Sequence, residues 1–116
     1  KLFVEVTRMG PARGNRAWGL LLLGEVLAQG AGPPADAEAT LEEALEHARE
    51  LGMRTLEARC LLALGQAQRR WGAPQRAVAQ LSAAADRFRA RGMAFWQARA
   101  DQELLDAKGS IVEPAR

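Results

Sequence analysis

The chain has no tyrosine, one cysteine and one histidine, and only three residues each of tryptophan and phenylalanine. Valine, isoleucine and threonine are also scarce, so the usual material of sheet cores is missing and a β-sandwich or β-barrel is excluded. One cysteine leaves no disulfide framework and no cysteine-based zinc site, and it suits a reducing compartment. One histidine leaves no histidine-rich metal site, so neither a metal nor a cofactor is expected. Long apolar runs are absent as well. Leu20–Leu23 is four residues, against the roughly 20 a bilayer-spanning helix needs. A large excess of one charge is missing too: 16 basic residues face 14 acidic ones, a net charge of +2. The high pI of 9.3 therefore reflects arginine in place of lysine, and no concentrated basic field demands a nucleic acid. No charged-then-apolar leader with a cleavage site opens the sequence, so the cytoplasm is the expected compartment. Lys1 at its head reads as a fragment or a processed product.

What is present is helix-forming material. Ala, Leu, Glu, Arg and Lys fill well over half of the 116 residues, a proportion typical of helical proteins. Gly30, Gly52, Gly72 and Gly92 each follow an apolar-periodic stretch, where a helix ends on a left-handed residue. Between these stops the spacing predicts five helices: Asn15–Gln29, Asp36–Leu51 with Asp36 as its N-cap, Thr55–Trp71, Pro74–Arg91 and Met93–Ala107. Apolar stripes at helical spacing mark their inner faces. They comprise Leu41, Ala44, Leu45 and Ala48 in the second helix, and Leu56, Cys60, Leu64, Ala67 and Trp71 in the third. The fourth has Ala77, Leu81, Ala84 and Phe88, and the fifth Trp96, Ala100 and Leu104. Alanine-rich stripes bury little area each, so no single helix is stable unless stacked on neighbours.

The sequence repeats itself. A shift of forty residues lays Leu41, Ala44, Gly52 and Met53 on Leu81, Ala84, Gly92 and Met93, and Leu64 on Leu104. A shift of forty-one lays Leu23-Gly24 on Leu64-Gly65, the extra residue falling in the Gly30–Pro34 loop, so Leu23 and Leu64 are expected in similar surroundings. The unit is a pair of helices, present twice, with the fifth helix opening a third. Gly24 and Gly65 fall in mid-helix, where each costs about 1 kcal/mol relative to alanine. Close approach of the two helices of a unit accounts for them. A phosphate loop would need a strand–loop–helix setting that is absent here.

These residues resemble the tetratricopeptide repeat. Leu61-x2-Leu64-Gly65-x2-Gln68, then Gly72, then Ala77-x3-Leu81-x2-Ala84 follows that pattern. Leu20-x2-Leu23-Gly24-x2-Leu27, then Ala37-x3-Leu41-x2-Ala44, repeats it. Leu20 and Leu61 stand where the family often has tryptophan, Leu27 and Gln68 where it has tyrosine, and the proline near the repeat end is missing. The resemblance implies an all-α fold, a right-handed α-solenoid of two helix pairs plus a C-terminal capping helix, over residues 15–107. Residues 1–14 read as an N-terminal arm or remnant, and 108–116 as a flexible tail. The strings 51–56 and 90–100 also resemble the C-terminal repeats of large bacterial ATPase- or cyclase-type and transcriptional regulators.

The resemblance further implies a non-enzymatic protein-interaction module, whose first helices line a concave groove for a peptide or a partner domain. Carried over residue by residue, the groove is lined by Trp18, Leu21, Glu25, Arg59, Leu62, Gln66, Arg69, Arg99 and Gln102. Arg59 and Arg99 are equivalent positions, suited to gripping carboxylates or phosphates, and the expected partner is a protein or peptide of acidic character. Ahead of that reading stands an internal role for Arg59, paired with Glu57 or Glu103 on a solvated face. Trp18 reads as an interface anchor or as a cover for the open end of the stack. The Lys and Asn of acidic-tail clamps are absent. Two other readings stand beside the groove: a nucleic-acid- or regulator-associated module using Arg69, Arg70 and the Arg87–Arg91 cluster, although nucleic acid is not the expected partner, and a structural domain that self-associates through exposed repeat ends. No acid, base and nucleophile converge, so no enzyme is expected. His47 reads as a surface residue among Glu43, Glu46 and Glu50, and Cys60 as buried filler.

Overall fold

Glycine and proline punctuation sets the element order in the computed structural model, which describes residues 13–112; among them all regular structure is helical. Helix α1 spans Arg13–Val26 and runs into a π-helical turn, Leu27–Ala31, that bends at Gly30 (φ 108°). Helices α2 (Pro34–Leu51), α3 (Arg54–Arg70), α4 (Pro74–Ala90) and α5 (Ala94–Val112) follow. Residues 1–12 and 113–116 lie outside the described residues, and with them most of the expected arm at 1–14, whose last two residues, Arg13 and Gly14, belong to α1.

The helix stops are built alike. Gly52 takes φ 68°, open only to glycine without strain, and this lets Met53 N donate to the Ala48 carbonyl at 2.9 Å. Gly72 and Gly92 repeat the device, with Ala73 N donating to Gln68 and Met93 N to Phe88. Boundaries shift elsewhere. Asp36 is not the N-cap: Pro33 precedes the first turn of α2, and Asp36 lies inside that turn, where its charge favours the positive helix end. Helix α5 continues past Ala107 to Val112, because Gly109 does not turn left-handed and Ser110 Oγ donates to the Asp106 carbonyl at 3.2 Å. The segment 108–112, expected as tail, is therefore helical.

The chain divides into two compact units at Cys60/Leu61, within α3. In the first, α1 packs on α2, and in the second α4 packs on α5. The cores match position by position: Ala37, Leu41, Ala44 and Ala48 of α2 are fully buried, as are Ala77, Leu81, Ala84 and Phe88 of α4. Trp96 of α5 stacks on Phe88 with ring centroids 6.0 Å apart.

The mid-helix glycines have the expected cause. A Cβ on Gly24 would lie 2.5 Å from Leu41 Cδ2 and 3.3 Å from the Leu41 backbone nitrogen. On Gly65 it would lie 2.5 Å from Leu81 Cδ2 and 3.4 Å from the Ala77 carbonyl. Each glycine seats the equivalent leucine of the following helix. The leucines beside them differ, contrary to expectation: Leu64 is 1% exposed but Leu23 45%. Helix α1 is the first described element, so its Leu23 side has no described element before it.

Candidate partner-binding surface

In the first unit, three expected groove residues come together. Trp18 lies half-buried on α1, and the Arg59 guanidinium of α3 sits over its ring, 5.7 Å from the centroid. Glu25, about two helical turns beyond Trp18, pairs with Arg59 at 3.8 Å. A guanidinium over an indole contributes about 0.5–1 kcal/mol at a solvent-accessible site; here the Arg59 side chain is partly buried and the nearby carboxylate offsets its charge. Glu25 is thus a partner of Arg59, one that the sequence reading did not consider in that role.

In the second unit, Gln66 and Arg69 of α3 converge on Glu103 of α5. Arg69 donates to Glu103 Oε1 from Nε at 3.2 Å and from Nη2 at 3.0 Å, and Gln66 Nε2 donates to Oε2 at 3.1 Å. Glu103 is therefore held by Arg69 and Gln66. In each unit an arginine–glutamate pair ties the first helix of one repeat to the first helix of the next: Glu25 to Arg59, and Arg69 to Glu103. Arg99 is exposed and without an ion pair among the described residues; Gln102 is exposed and donates to Asp106 Oδ1 at 3.1 Å.

Leu21 and Leu62 do not line this surface. They are buried at 0% and 3% exposure and form the core beneath it. The exposed apolar residue beside Trp18 is Leu22, one turn on, which the sequence reading missed. Four successive leucines point in every direction around a helix, so periodicity alone did not say which one faces out.

Arg87, Arg89 and His47 make local contacts. Arg87 donates to the Ala83 carbonyl at 3.3 Å, and Arg89 pairs with Asp86 at 2.9 Å. His47 lies 3.7 Å from Glu43 and 4.0 Å from Glu50, while Glu43 also pairs with Arg16 at 3.7 Å. Among the described residues no group of three or more metal-ligating side chains is placed to hold an ion. Cys60 is buried, and burial, reinforced by Glu25, pushes its thiol up to about 12. A protonated, enclosed sulfur is not a nucleophile. Gln68, at the position where the family carries tyrosine, is fully buried with neither amide atom hydrogen-bonded. No helix among the described residues is long and apolar enough to cross a membrane.

No curated protein and no solved structure matches the chain. A tetratricopeptide repeat model matches residues 15–90, more than half of its length. With the paired helices, the forty-residue recurrence and the glycine–leucine seats, the chain belongs to the tetratricopeptide repeat family.

Proposed function

We propose that this chain is a non-enzymatic interaction module of a regulatory or scaffolding protein in the cytoplasm, recognising a peptide or partner domain on the face that bears Trp18. Tetratricopeptide repeats serve protein–protein interaction, and the finer reading is carried by one observation: an indole, half-exposed and capped by Arg59, beside the exposed Leu22. Such an aromatic ledge fits an apolar side chain of a peptide, with the Arg59 guanidinium fixing the backbone around it. On this face Glu25 offsets the charge of Arg59. The likeness of residues 90–100 to the C-terminal repeats of bacterial regulators supports a place in a larger regulatory protein.

Peptides selected from a displayed random library against the whole chain provide the test. Trp18→Ala should weaken their binding at least tenfold, about 1.4 kcal/mol, with helical circular dichroism unchanged. Peptides that bind Trp18→Ala and Arg59→Glu as well as the parent would remove the assignment. Binding that instead fell steeply with salt and competed with an oligonucleotide would favour a nucleic-acid role.

A further inference from the structure

The third first-helix of the repeat departs from the other two at one position. A shift of forty residues from Gly65 arrives at Leu105 on α5. At Gly24 and Gly65 even a Cβ would collide with the leucine of the following helix; at 105 a whole leucine side chain stands on that face. Helix α5 cannot receive a following helix as α1 receives α2. Yet the face is apolar and open, with Leu105 exposed to 64% and Phe95 to 69%.

The exposed residues on this face recur at steps of three and four: Phe95, Ala98, Gln102, Leu105 and Gly109. That is the spacing of a coiled-coil seam, over two heptads. Small Ala98 and Gly109 let a second helix approach, and Gln102 is the single polar residue in the seam, a type that fixes register. Charges line both edges. Arg99 and Asp106 follow seam positions and share one edge; Asp101 and Lys108 precede seam positions and share the other. When two copies of a helix face each other antiparallel, each edge meets the same edge of its twin. Arg99 then faces Asp106 of the second copy, and Asp101 faces Lys108 of the second copy. Each pairing occurs twice, and all four are attractive. A parallel pair would set Asp101 against Asp106 and be repelled.

We propose that the outer face of α5 is a homodimer interface, taking α5 of a second copy antiparallel about a two-fold axis. The occupant follows from charge complementarity: the pattern is self-complementary in one direction only, as an isologous contact requires. A two-heptad seam is short, so the dimer is concentration-dependent and sensitive to salt. The proposal is independent of the peptide-binding reading, since it concerns the chain alone.

Sedimentation equilibrium of the full chain, from about 1 µM to about 1 mM, is the test. The mass should rise from 12.6 kDa toward twice that value. Leu105→Asp should hold it at the monomer. Arg99→Asp and Asp106→Arg should each weaken association at least tenfold, and the two together should restore it to within about threefold, because the swapped charges again face their opposites. Circular dichroism confirms that each variant is folded. A monomer at every concentration would overturn the proposal. So would a dimer indifferent to Leu105→Asp, or a double variant no tighter than the singles.

Discussion

Cys60 is the group whose ionisation the fold perturbs most clearly. Its thiol is pushed from 9.0 to about 12, mainly by burial, with Glu25 and Glu57 adding to the rise and Arg59 and Arg49 opposing it. The folded state therefore holds the proton more tightly than the unfolded chain. Its contribution to stability is full below about pH 9 and is lost as pH rises through about 12, with a span of a few kcal/mol. With no tyrosine and only two lysines, few other groups titrate in that window. Denaturant titrations should show stability falling between pH 9 and pH 11, and Cys60→Ala should flatten the fall; an equal slope in the variant would assign it to other groups. That Cys60 is core was legible from its place in an apolar stripe. The pairing of Arg59 with Glu25 was not, because it joins side chains thirty-four residues apart and sequence spacing carries no sign of it. Nor was the burial of Leu21 against the exposure of Leu22: a run of leucines hides the phase of its own helix.

Helix-level features were more legible, because their signals are local. Left-handed glycines and apolar periodicity located all five helices, and errors fell where the signal was absent. Lys108–Val112 contains no stop, so α5 simply continues. The mid-helix glycines are the informative exceptions to helix propensity. Substituting Gly65 by alanine gains about 1 kcal/mol of propensity, but the new methyl would meet the side chain of Leu81, which is fully buried. Overpacking of this kind costs about 1–3 kcal/mol and sometimes more. Gly65→Ala should therefore lower the midpoint of chemical denaturation, the reverse of its effect on an isolated α3 peptide. A midpoint equal to or above that of the parent would show that α3 and α4 do not touch there.

For the molecule as a whole, the forty-residue recurrence marks a repeated helix pair, and the equivalent buried positions of α2 and α4 are its physical counterpart. The recurrence breaks at two places, at Leu23 on an exposed side of α1 and at Leu105 of α5 in place of glycine. The central claim is that each helix pair coheres through a glycine seated against one leucine, in the same way in both units. A pair of double-mutant cycles tests it most directly: Gly24→Ala with Leu41→Ala, and Gly65→Ala with Leu81→Ala, each followed by denaturant unfolding. Removing the leucine should abolish the penalty of the added methyl, leaving it neutral or stabilising, with a coupling of the same sign in both units. Additive effects, or coupling in only one unit, would contradict the account.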